Sequence, residues 1–388
     1  MTDKIRVLHF SPHREDDGIA KYQQHYVEAM DKLSGVTNTF FDTSPLRLRF
    51  MSKSEKEQTL NRLREQLKGY DILHVQHEFG LFNYDEFAHL VEHVKKAHKK
   101  IIVTIHLSPG FAIKTAKING LGPRSWLHYA RQKRYYNKQV NWHIKPLKSV
   151  DLVIVHNDVT KNSLTDFGVN GDKIVKMIHP VPVVKFNQTS NTLSQKLNKK
   201  PSDVIFCTVG MMHRYKGVFD AIKALKFLPD NYKLAIIGGV HPFSEDVPIY
   251  NKACDLVDQL GLGQRVYITG FVKDDDEMNA LIRECAIAIF PYNGKYYGHV
   301  SSGAINLAIA NHLPVIAYPT AGFVALSENS AGAVVLTQTY AYYELAREIQ
   351  SIHIKKQAEL SKEYAEKMSW LKSAKNMARL YSELINHS

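Results

Sequence analysis

The chain has 388 residues, room for two or three domains, and its 44% hydrophobic and 23% charged residues are globular values with no apolar run near the roughly 18 residues of a membrane span. Three scattered cysteines (Cys207, Cys254, Cys285) fit neither a disulfide framework nor a metal cluster, and the start MTDKIRVLHFSPHRE lacks a signal peptide's apolar core, so a cytoplasmic protein is expected. The net charge of +12 is uneven: residues 1–185 carry 29 Lys and Arg against 19 Asp and Glu, and the rest 21 against 19.

IRVLHF (5–10) is a short apolar run that predicts a buried strand. A polar loop follows, with Gly18 just before a helical pattern over residues 19–33. One glycine falls far short of a dinucleotide fingerprint. Phe40 and Phe41 suggest a second strand, and residues 53–68 a charged, exposed helix. DILHVQHEF (71–79) predicts a strand with a polar tip at His77 and Glu78. Those two are adjacent, so on a strand they face opposite ways and chelate poorly; there is no HExxH or HxH pairing. Residues 84–100 read as helix, and IIVTIH (101–106) as a strand ending in His106.

Residues 111–150 hold nine basic residues (Lys114, Lys117, Arg124, Arg131, Lys133, Arg134, Lys138, Lys145, Lys148) and no acidic one. Trp126, Tyr129, Tyr135, Tyr136 and Trp142 are interleaved with them, which predicts a basic, aromatic, helical face. A solvated surface, a nucleic-acid patch and an anchor to anionic lipid headgroups all fit; the one-sided charge with aromatics favours the lipid surface, and no nucleic-acid motif is present. DLVIVHN (151–157) and KIVKMIHP (173–180) complete a first α/β pattern.

Residues 186–203 are polar, without apolar periodicity, and read as a linker. VIFCTVG (204–210) restarts the strand–loop–helix grammar, followed by strands at 233–239, 265–272, 286–290, 314–318 and 333–336. The stretch IFPYNGKYYGHVSSGAINLAIANHLPVIAYPTAGF (289–323) predicts a strand, a glycine-bearing loop, a buried helix and another strand. Ser301 or Ser302 is placed to cap that helix, and Gly303 in its first turn would admit a ligand to the backbone. A bare N-terminus of this kind is a ready anion site, though an ordinary αβ unit reads the same way. The tail from Tyr340 onward is helical and carries Trp370.

The expected fold class is therefore α/β: two Rossmann-like, doubly wound domains facing a cleft. We expect residues 1–185 as the first domain, 186–203 as the linker and 204–370 as the second, with a final helix of about 371–388 packing back on the first. Ligands of such sheets sit at the carboxyl ends of the strands. The polar groups there are Gly18, His77, Glu78, His106, the 210–216 loop, Gly238–Gly239 and the 292–303 loop.

Together these stretches resemble the retaining GT-B glycosyltransferases of glycosyltransferase family 4, which includes bacterial mannosyl- and glucosyltransferases. TVGMMHRYKGVFDAIKAL is similar to the family's vGRl...KG element, ITGFVKDDDEMNALIRECAIAIFPY to its G-x-v-x-dd-el block, and SSGAINLAIANHLPVIAYPTAGF to its EAmA-x-G-x-PVIa block. DDGIAKYQQHYVEAM, VQHEFGLF, VTIHLSP and the Trp370 tail also resemble family segments. Two departures stand out. The vGR arginine is Met211 here, with Arg214 three residues on, and the E-x7-E pair falls on His299 and Leu307, so both carboxylates are missing.

The resemblance implies transfer of a hexose from a UDP- or GDP-type sugar to a glycan or lipid-linked acceptor, as in cell-surface polysaccharide or glycolipid synthesis. It implies no cofactor, and metal-independent transfer is expected because no acidic metal motif appears. Lys216 and Arg214 would stabilise the departing phosphates, and His106 would lie beside the transferred sugar. Gly18, Gly210, Phe271, Val272, Tyr292, His299, Ser301, Ser302 and Gly303 would bind the donor, and His77 and Glu78 would lie on the acceptor side. The basic 111–150 face would hold the enzyme at the inner face of the cell membrane. A catalytically inactive GT-B partner subunit and a sugar-nucleotide epimerase are the alternatives; the missing carboxylates favour the first of these.

Overall fold

The computed structural model describes residues 4–13, 18–118, 120, 122–240, 247–294 and 302–386. The chain forms two compact units, Met1–His179 with Trp370–Ser388, and Pro180–Ser369.

The first unit is built on a six-stranded parallel sheet of β1 (Ile5–Phe10), β2 (Val36–Phe40), β3 (Ile72–His77), β4 (Lys100–Ile105), β5 (Leu152–Val155) and β6 (Ile174–Lys176), in the order β2-β1-β3-β4-β5-β6. Its helices include α1 (Gly18–Met30), α2 (Lys53–Leu67), α3 (Glu86–Lys95), α4 (Pro123–Gln139) and α5 (Asp158–Asp166). Strand alternation divides the core in two. Leu8, Leu73, Val75, Val103 and Val153 face Leu63 of α2 and Phe87 and Leu90 of α3. Val7, Ile72, Ile102 and Ile154 face Tyr26 and Met30 of α1, and also Trp370, Ala374, Met377 and Tyr381 from the far end of the chain. Ser52 starts α2 with a capping box, accepting from the Glu55 amide while the Glu55 carboxylate accepts from its own.

The second unit carries β7 (Val204–Val209), β8 (Tyr232–Ile237), β9 (Val266–Ile268), β10 (Ile287–Phe290), β11 (Val315–Ala317) and β12 (Val334–Leu336), parallel in the order β12-β11-β10-β7-β8-β9. The helices are α6 (Val218–Leu225), α7 (Val247–Gln259), α8 (Asp275–Arg283), α9 (Gly303–Ala310), α10 (Ala321–Asn329), α11 (Tyr342–Ser351) and α12 (Ile354–Lys367). The last helix, α13 (Trp370–Asn386), belongs to the first unit. The chain enters the second unit beside the point where it leaves: Val181 bridges Ser369, and the Val181 amide donates to the Met368 carbonyl at 2.9 Å.

Residues 186–203 pack into this unit. Thr192–Lys196 is helical, Leu193 and Leu197 are buried in the core, and the Glu284 carboxylate accepts from the Leu193 and Ser194 amides. Two leucines in an otherwise polar stretch are enough to anchor it, which the lack of periodicity conceals. Strand order reverses between β1 and β3 in the first sheet and between β7 and β10 in the second. Those are the switch points where doubly wound sheets take ligands.

Candidate active site residues

At the second switch point β7 and β10 run side by side, with Phe206 opposite Ile287. The chain leaving β7 passes Gly210 and a 3-10 turn, Arg214–Lys216, that ends at Gly217. Gly217 has φ +72°, and a Cβ there would lie 1.8 Å from the Pro291 carbonyl oxygen. Only glycine lets this turn rest on the end of β10. The Asn293 amide then donates to the Tyr215 carbonyl at 2.8 Å and ties the two segments together.

This seating brings Lys216, Tyr292 and Ser302 into one cluster. The Lys216 ammonium donates to Tyr292 Oη at 2.7 Å, and Tyr292 Oη lies 3.0 Å from Ser302 Oγ. The ammonium also lies 4.8 Å from the centre of the Tyr292 ring and 5.6 Å from that of Tyr215. A Cβ on Gly210 would be 3.4 Å from Lys216 Nζ, so the backbone of the first loop lines the same spot. Among the described residues, no ion pair to a carboxylate forms at Lys216. Burial lowers its pKa and raises that of the Tyr292 phenol, which stays neutral. The result is a half-buried positive charge held by a phenol rather than balanced by an anion.

Ser302 is the N-cap of α9, but its hydroxyl is engaged with Tyr292 and does not cap the helix. The expectation of a side-chain cap at Ser302 is thereby corrected. The helix is buried as expected at Ile305, Asn306 and Ala308–Ala310, while Gly303 is exposed with open space where a Cβ would stand. The N-terminal amides of α9 thus open beside Lys216 and Tyr292. Leu307, at the second position of the missing carboxylate pair, packs half-buried against the core of this unit. His299 and Ser301 lie outside the described residues.

The ends of β8 and β9 flank this cluster. Gly238 bridges Gly270, and a Cβ on Gly239 would stand 2.6 Å from the Phe271 amide nitrogen. Phe271 is 40% exposed, and Val272 packs half-buried on the core. Arg214 is exposed and lines a recess of about 340 Å³ with Phe219, Pro248, Ile249 and Lys252. It starts the turn that Lys216 ends.

In the first unit, His106 follows β4 and is half-buried. Its Nε2 lies 2.7 Å from Gln76 Oε1, its amide donates to the His77 carbonyl at 3.0 Å, and its ring meets Tyr22 of α1 edge-on at 4.9 Å. Tyr22 also touches His156, His179 and Trp370. Burial, then the neighbouring histidines, push the His106 pKa well below the usual imidazole range, so the ring is neutral at pH 7. Gly18 begins α1 with open space around it, and Glu78 is half-buried just past β3.

His77 is a correction. Its ring is buried on the opposite face, against Phe82 and Phe87, with Nε2 3.1 Å from His143 Nδ1. Strand alternation is the reason: His77 shares the face of Leu73 and Val75, and Gln76 shares that of His74. The polar side chain delivered to His106 is therefore Gln76, which the sequence reading passed over. Tyr22 was missed as well. Its approach to His106 comes from α1 packing beside α13, a contact no local pattern announces. Among the described residues, no group of three or more His, Cys, Asp or Glu is placed to hold a metal ion.

Each unit is a doubly wound parallel sheet with polar groups at its switch point, the place where such sheets take ligands. The glycosyl transferases group 1 profile matches residues 189–369, and the glycosyltransferase family 4 profile matches residues 21–180. The chain belongs to this family: it is a glycosyltransferase, and its units are those of the GT-B fold. It is 24% identical over 261 residues to an uncharacterized glycosyltransferase, MJ1069, of Methanocaldococcus jannaschii, a match spanning 65% of this chain and 63% of that protein. Anabaena HepE in complex with UDP superposes with a TM-score of 0.67 at 14% identity, covering 98% of this chain and 100% of that one. WaaG, a glycosyltransferase involved in lipopolysaccharide biosynthesis, gives 0.59 at 14% identity over 97% and 99%.

Proposed function

We propose that this chain moves a hexose, with retention, from a UDP- or GDP-sugar to a glycan or lipid-linked acceptor in cell-surface polysaccharide or glycolipid synthesis. The carrying observation is the Lys216 ammonium: half-buried, without a carboxylate partner among the described residues, and set beside the open N-terminus of α9. A cation desolvated and left without a counter-charge is poised for an anion, and departing diphosphate supplies one. Lys216 and the α9 amides stabilise that charge as the glycosidic bond breaks. Tyr292 and Ser302 hold the ammonium in place through the phenol. Gly210, Gly303, Phe271 and Val272 line the donor through backbone contacts, with Gly18 closing the first loop, Arg214 as a second cation, His106 beside the sugar and Glu78 orienting the acceptor. His299 and Ser301 belong to the same donor loop by sequence. The UDP bound to Anabaena HepE supports a uridine donor.

With Leu307 in the core, the ribose meets no carboxylate from that position, and its recognition falls to backbone groups. The acceptor side rests on a different feature. No described α4 residue is fully buried, and Trp126, Leu127 and Tyr135 are more than half exposed among its basic residues. That supports the membrane's inner face as the working surface and a lipid-linked acceptor. The role of WaaG in lipopolysaccharide biosynthesis points the same way. No helix among the described residues is long and apolar enough to cross a membrane.

The test is a thermal-shift panel of UDP, GDP and their hexose conjugates on the native chain and on Lys216→Ala. A ligand that binds only the native state raises Tm by mass action. We expect one nucleotide series to shift Tm and Lys216→Ala to lose the shift while melting normally without ligand. No shift with any nucleotide would overturn the assignment and favour an inactive partner subunit, and a shift kept in the variant would overturn the role of Lys216.

A further inference from the structure

The contact between Gln76 and His106 carries a consequence for substrate choice. An amide oxygen only accepts hydrogen bonds, so with Gln76 Oε1 2.7 Å from His106 Nε2, the proton of the neutral ring sits on Nε2. Gln76 is itself fixed: it is fully buried on β3, and its amide nitrogen lies 3.4 Å from His74 Nε2. His74 is held in turn by Thr104 at 2.8 Å and by Tyr381 of α13 at 2.6 Å. Among the described residues, the groups facing His106 are Gln76 and His74 from β3, Tyr22 from α1, and His156 and His179 from the chain after β5 and β6. None of these is a carboxylate, so none favours the imidazolium.

We propose that Gln76 is a positioning residue that locks His106 in the Nε2–H tautomer, leaving Nδ1 as a fixed hydrogen-bond acceptor that reads a hydroxyl of a neutral hexose and disfavours the carboxylate of a hexuronate. This rests on the placement of His106 beside the transferred sugar. A lone-pair nitrogen attracts an O–H and repels a carboxylate oxygen, and a site built for one hydrogen bond rejects its mismatch strongly.

The experiment is nitrogen-15 NMR of histidine-labelled full-length protein, with the His106 signals identified by their loss in His106→Gln. His156 is an internal reference of the opposite kind, because its Nδ1 lies 2.9 Å from the Met177 carbonyl and must carry the proton. We expect the Nε2–H pattern for His106 from pH 8 to 6, and a tautomer mixture in Gln76→Leu. An Nδ1–H or doubly protonated His106 in the native protein at pH 7 would overturn the proposal, whatever the variant does. In turnover assays Gln76→Leu should lower kcat about 10–100-fold, the range known for the orienting partners of metal-bound histidines, with the acceptor KM unchanged. Gln76→Glu retains an acceptor oxygen and should keep Nε2 protonated, raise the His106 pKa and narrow the preference for UDP-hexose over UDP-hexuronate. An unchanged preference in Gln76→Glu with a protonated His106 would also overturn it. Absence of turnover with every nucleotide sugar would overturn the transfer reading instead, and the NMR result would still decide the tautomer.

Discussion

His9, His143 and His156 are buried in the first unit, and desolvation holds each neutral with a pKa of about 4. In an unfolded chain the same rings titrate near 6.5. Between those values the unfolded state takes up protons that the folded state refuses. Their contribution to stability is therefore complete above about pH 6.5 and is lost as pH falls toward 4. Each should cost about 2 kcal/mol between pH 7 and pH 5. The three tryptophans, Trp126, Trp142 and Trp370, all lie in this unit, so their fluorescence reports its unfolding. Denaturant midpoints followed by that signal should fall steadily from pH 7 to pH 5; a flat profile would mean that the rings are already charged in the folded protein.

Helix α4 differs from its neighbours in having no buried position among its described residues, although Tyr136 packs partly on the core and Lys133 and Lys138 lie over Tyr129 and Trp142. A helix that contributes so little burial should tolerate surface change. Replacing Arg124, Arg131 and Arg134 of the helix, and the exposed Lys145 beyond its end, with Gln should leave Tm within a degree or two, each change costing under about 0.5 kcal/mol. The same variant should lose flotation with anionic vesicles, which the native chain shows at low salt and loses at high salt. If the native chain fails to float at low salt, the lipid surface is excluded. The helix was legible from its charge and aromatics, and the strands from their apolar runs. What the sequence hid was adjacency. Lys216, Tyr292 and Ser302 were each singled out, but their contact depends on β10 inserting next to β7 across 77 intervening residues. On β3, by contrast, alternation alone was enough to separate Gln76 from His77, and weighing the polar tip as a unit obscured it.

At the scale of the molecule, α13 completes a unit that began at the other end of the chain. Trp370, Ala374, Met377 and Tyr381 are buried against α1 and the sheet, and Tyr381 meets His74 at 2.6 Å. A chain stopped after Ser369 should lose the cooperative fluorescence transition of the first unit, through several kcal/mol of lost burial. The second unit has its own two-sided core, and nucleotide should still stabilise it. A truncated chain whose first unit melts as before would show that α13 is dispensable.

The route of α13 also sets an order of events at the ribosome. The residues from Pro180 to Ser369 take about 10–40 s to make at about 5–20 residues per second, and the second unit can close as it emerges. The first unit, although synthesised earlier, waits through that interval with the apolar side of its sheet uncovered where Trp370 and Met377 will later sit. The half made first is the half finished last, so a chaperone that shields nascent chains would find its longest-lived target in the N-terminal half.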